Sequence, residues 1–194
     1  MDFNLKNIKE LFRDKSRDNF YKNLLDIGVD CELAKRGINE EKLFNPWHRR
    51  SLGIININED KPIKYVNIIK QDGGKNNPPR WWYFFAIPSN DEIDKEYYME
   101  VKSKRIKSTP VIGKVESIEW DPNENSKKIS DNFSDDEEIN ALSKELGNIK
   151  VQSLHDNFSG FSVELEFKRR EKNINNQNWE SLNKIAQICL NYKA

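Results

Sequence analysis

The stretch that most constrains the fold is Trp81-Trp82-Tyr83-Phe84-Phe85-Ala86-Ile87, seven apolar residues in a row closed by Pro88. Alternate side chains of a strand point to opposite faces of its sheet. A run that is apolar at every position has to be covered on both sides, which predicts a central strand. Core packing is the first role for its aromatics; stacking against nucleic acid is the second.

The flanking sequence supplies more strands. Residues 52–58 and 63–70 are rich in β-branched side chains and are separated by the turn Glu59-Asp60-Lys61-Pro62. Two further strands are expected over 97–107 and 111–120, around Ser108-Thr109-Pro110. Residues 149–155 and 161–168 read as a hairpin, with Phe161, Val163, Leu165 and Phe167 alternating with Ser162, Glu164, Glu166 and Lys168.

Helical spacing appears three times. Leu5, Ile8, Leu11 and Phe12, followed by Tyr21, Leu24 and Leu25, predict a helix over 4–25 that is weak at 14–18. Ser134-Asp135-Asp136-Glu137 reads as a capping box before the stripe Ile139, Leu142 and Leu146, with Gly147 as the stop. Trp179, Leu182, Ile185, Ala186 and Cys189 predict a C-terminal helix. Residues 121–133 are polar and read as a surface loop.

Short turns between strands imply antiparallel pairing. The expected fold is therefore α+β: a mainly antiparallel sheet of about six to seven strands, with N-terminal, internal and C-terminal helices packed mainly on one face. Residues 1–50 form an N-terminal helix and irregular arm, and 51–194 the α+β domain, together one globular unit.

Charge bears on function. The chain has 32 basic and 32 acidic residues among 194, so it exerts no global attraction on nucleic acid or membrane. Their distribution is uneven. Five basic side chains stand against one acid over 98–114, and ten acids against three lysines over 116–145. Internal pairing of these blocks is one reading, and two faces for two partners the other. No apolar run approaches a membrane span and the N-terminus does not read as a signal peptide, so a cytoplasmic location and no membrane partner are expected. Cys31 and Cys189 are far apart and form no CxxC; a buried thiol is expected at Cys189.

Metal and cofactor motifs are not found. Two histidines and two isolated cysteines give no zinc spacing. Asp135-Asp136-Glu137-Glu138 lacks the EF-hand pattern, and acids in a first helical turn complement the helix dipole. Gly73-Gly74-Lys75 lacks the spacing of a phosphate loop, and Ser162 lies inside a strand instead of on a nucleophile elbow.

Three local constellations remain. Glu100 and Lys102 share one face of a strand, with Asp91 and Asp94 upstream. An Asp followed by Glu-x-Lys resembles the PD-(D/E)xK nuclease pattern. That resemblance implies carboxylates of Asp94 and Glu100 on a magnesium ion and Lys102 beside the attacking water. The same spacing also serves the wet face of an ordinary strand. Lys104, Arg105 and Lys107, with Lys102, form a basic strand suited to phosphates. Trp47-His48-Arg49-Arg50 pairs an aromatic with two cations, a set suited to an anionic ligand or a protein partner, or to anchoring the arm. The sequence thus favours a non-enzymatic binding module. The nuclease and the non-catalytic nucleic-acid binder are the alternatives.

Overall fold

The computed structural model describes residues 14–43, 49–91, 93, 95–109, 113–154 and 158–192. Among these, eight strands form one antiparallel sheet: β1 (Cys31–Leu33), β2 (Arg50–Ile57), β3 (Tyr65–Gln71), β4 (Arg80–Pro88), β5 (Glu100–Lys107), β6 (Val115–Pro122), β7 (Ile149–Leu154) and β8 (Gly160–Lys168). Their spatial order is β1-β2-β3-β4-β8-β7-β5-β6. The first four strands form a meander and β5–β6 a hairpin. The β7–β8 hairpin, last in the chain, is seated between them. This is the expected α+β class with one strand more than expected. The extra strand, β1, is three residues long, too short for alternation to reveal it, and pairs Cys31 with Ile57.

β4 lies between β3 and β8, and all seven residues from Trp81 to Ile87 are buried. Trp81, Tyr83, Phe85 and Ile87 face the main core, where Tyr83 meets Phe20 at 4.5 Å and Phe167 edge-on at 5.0 Å. Trp82, Phe84 and Ala86 join Ile69 in a smaller cluster on the other face, flanked by Tyr65, Leu154 and Phe158. Burying each such aromatic stabilises the fold by about 1.5–3 kcal/mol.

Four of the five helices described cover the main-core face: α1 (Ser16–Asp26), α3 (Lys127–Ser134), α4 (Glu137–Leu146) and α5 (Asn176–Leu190). The short α2 (Glu40–Leu43) lies across the other face, where the Asn67 side-chain amide donates to the Glu41 carbonyl at 3.1 Å. The helix expected over 4–25 is observed from Ser16, whose N–H donates to the Asp14 carboxylate; residues 4–13 lie outside the described part.

Two local readings are corrected. Residues 127–133, expected in a loop, form α3 together with Ser134, because Ile129 and Phe133 one turn apart are both fully buried. The cap of α4 is Asp136, which accepts from the Glu138 and Ile139 N–H groups. Ser134 belongs to α3 and donates back to the Ser130 carbonyl. Gly147 ends α4 as expected, at φ +129°. Cys31 and Cys189 are both buried free thiols; burial pushes Cys31 up to about 11 and raises Cys189 as well. Among the described residues no helix is long and apolar enough to cross a membrane.

Candidate functional site

The sheet has a gap at one end. β7 begins at Ile149, opposite Leu165, and touches β5 only from Glu100 to Lys102. β5 runs on to Lys107 and β8 to Lys168, with no strand between them among the described residues. The result is a notch one strand wide, about 380 Å³ in volume. Residues of both sheet faces line it, since Lys150 and Glu164 point one way and Ser103 and Phe167 the other. Gly147 and Asn148, leading from α4 into β7, form its floor. A Cβ on Gly147 would stand 3.8 Å from the Glu166 carbonyl oxygen and 3.9 Å from an Arg105 guanidinium nitrogen.

Six cations line the notch against two carboxylates: Lys102, Arg105, Lys150, Lys168, Arg170 and Lys172, with Glu164 and Glu166. The cations fall into two groups. Lys102 and Lys150 are bound to Glu100, at 2.5 and 2.9 Å. Lys168 lies 3.8 Å from Glu166, which is also held by Arg80 at 3.0 Å. The other three have no carboxylate bound to them among the described residues. Arg105 donates through Nε to the Asn148 side-chain oxygen at 3.2 Å. Lys172 donates to the Glu145 and Leu146 carbonyls, capping the C-terminus of α4. Arg170 makes no ion pair or hydrogen bond among the described residues.

Within this second group the charges of Arg105 and Arg170 act on Lys172. Burial lowers its pKa, and so do the neighbouring charges of Arg105 and Arg170, with Glu145 opposing. Glu164, opposite Lys150 in the register, is raised by burial and by Glu166 and Glu100, against Lys150 and Arg49. The chain turns into this rim through Arg169, which holds φ +72° while its N–H donates to Pro79 O at 2.9 Å. A left-handed conformation costs a non-glycine residue roughly 1–2 kcal/mol.

Of the residues singled out from sequence, Glu100 and Lys102 do share a face, and they bind each other. Burial opposes ionisation of Glu100, but hydrogen bonds from Lys102, Lys150 and Tyr98 outweigh it and hold the carboxyl down at about 2. Asp94, Trp47 and His48 lie outside the described residues, and Asp91 is exposed. Among the described residues no three His, Cys, Asp or Glu side chains are placed to share a metal ion.

The basic strand is divided between the two faces. Lys102 and Lys104 stand opposite Asp121 and Glu119 of the acidic block, whereas Arg105 stands opposite Ile118 and enters the notch. Lys107 follows a register shift and is exposed. Arg49 stacks 3.8 Å over the Trp82 ring, and Arg50 meets Asp14 at 3.4 Å and Asp72 at 3.8 Å. The arm therefore contributes cover to the second face.

No protein-family model matches the chain, and no curated protein or solved structure does either. The residues that sequence reasoning passed over are Arg170 and Lys172. Their signal was Lys168-Arg169-Arg170-Glu171-Lys172, four cations in five positions directly after a strand. Its meaning depends on the distant Arg105, which no local pattern connects to it.

Proposed function

We propose that this chain is a non-catalytic binding module that takes an anionic ligand in the notch. The observation that carries the reading is the convergence of Arg105, Arg170 and Lys172, from two separate stretches of chain, around one cavity with no carboxylate bound to them among the described residues. Like charges held together in a fold raise its energy, and an incoming anion relieves that cost. Glu100, the strongest carboxylate candidate for chemistry, has both oxygens engaged by Lys102, Lys150 and Tyr98.

The test is fluorescence anisotropy with labelled polyglutamate and with labelled single-stranded DNA carrying a 5′-phosphate, at low and moderate salt. Binding should weaken with salt and fall about tenfold in Arg170→Gln and in Arg105→Ala. Lys104→Ala is the control, because Lys104 does not line the notch. Absence of binding at low salt, or equal loss in the control, would overturn the reading.

A further inference from the structure

We propose that the notch recognises the terminal phosphate of a small phosphate monoester, gripped by the Arg105 and Arg170 guanidinium groups with the Lys172 ammonium beside them. The inference rests on the anion-binding reading above and narrows it by charge, shape and size.

Charge comes first. Three cations without a bound carboxylate are poorly matched by a single carboxylate. A phosphate monoester carries between 1.5 and 2 negative charges at neutral pH, its second proton leaving near about pH 6. Two of the three cations are arginines, whose planar forks fit pairs of phosphate oxygens.

Shape and size narrow the ligand further. The notch is floored by Gly147 and Asn148, so it suits the end of a molecule better than a strand passing through. Its volume of about 380 Å³ falls in the range of small-ligand sites. The opposite wall carries Lys150 and Glu164, paired across the β7–β8 register, a donor and an acceptor side by side that suit hydroxyls better than a second anion. The ester's organic part should therefore be uncharged and hydroxyl-bearing. A phosphorylated protein side chain presents the same terminal group, and the experiment separates these two sources.

Isothermal titration calorimetry of the whole chain with phenyl phosphate and phenyl sulfate tests the phosphate directly. These probes have nearly the same shape and differ in charge. The protein's own groups, Glu164 and Glu166 on β8, Lys150 on β7, Lys102 on β5 and Lys172, act on both probes alike. The ratio of the two affinities therefore isolates the ligand's second proton. Phenyl phosphate should bind about tenfold more tightly than phenyl sulfate near pH 7.5, and the ratio should approach one near pH 5. Arg170→Gln, at a side chain without a hydrogen bond or ion pair among the described residues, should remove the preference. Arg105→Lys should weaken it by loss of the fork alone.

Equal affinity for the two probes at both pH values would overturn the phosphate assignment while leaving anion binding standing. If polyglutamate and both probes fail to bind, the two readings fall together. Glucose 6-phosphate and a phosphoserine peptide form the last pair. Tighter binding of the sugar phosphate supports the small ester, and tighter binding of the peptide overturns that part of the proposal.

Discussion

The two ends of β5 present the same kind of residue in opposite states. At one end Glu100 gathers Lys102, Lys150 and Tyr98 into a closed set, every charge answered by a partner. Five residues along, Arg105 joins Arg170 and Lys172 with no carboxylate bound to any of them among the described residues. The second end also contains the left-handed Arg169 and Gly147 at φ +129°. Counting charges does not separate these ends, since both are rich in lysine and arginine. What separates them is neutralisation. One end contributes to stability, and the other holds a left-handed backbone beside cations that lack a carboxylate among the described residues.

Substitutions at the strained end break the comparison from the backbone. Gly147→Ala should cost about 2 kcal/mol, because φ +129° with extended ψ is a region essentially reserved for glycine. The added methyl meets nothing closer than 3.8 Å, so the cost is that of the backbone alone. Urea unfolding checks this prediction. An unchanged midpoint would show that the backbone there is relaxed.

Glu100→Gln turns the closed end into a second unanswered one, and should cost about 1.5 kcal/mol at neutral pH. The wild-type carboxyl is held at about 2 against an ordinary value of 4.5. Its folded pKa thus lies below its unfolded one. The contribution is complete above about pH 4.5 and is lost as pH falls towards about 2. Urea midpoints measured across that window should converge for wild type and variant at the acidic limit. Parallel curves would remove Glu100 from the account.

The smallest effect has the opposite sign. Arg169→Gly should stabilise the protein by about 0.5–1 kcal/mol, since glycine accepts φ +72° without the Cβ penalty. Thermal melts of the two proteins decide it. A loss of stability would mean that the Arg169 side chain contributes more than its backbone costs.

Much of the fold was legible because it depends on local patterns. The Trp81–Ile87 run required two covered faces, and it has them, although the second cover is a small cluster with Arg49 over Trp82. The alternation from Phe161 to Lys168 placed that strand correctly, and Gly147 marked the end of α4. β1 and α3 were missed for the same reason: each makes its case with only two or three apolar residues. The notch was not legible. It is created by a difference in strand length between β7 and its neighbours, and by a register that brings Arg105 beside residues more than sixty positions away. Periodicity reports which face a residue takes and is silent about where a strand stops.

The strand order has a consequence for how the chain becomes a sheet at all. β4 and β5 are each half-paired until β7 and β8 come between them, so a chain ending before Ile149 has two separate β pieces with bare inner edges. Exposed edges invite pairing with other chains. The last hairpin is therefore the keystone of the sheet, and the notch is the place where that keystone is cut short.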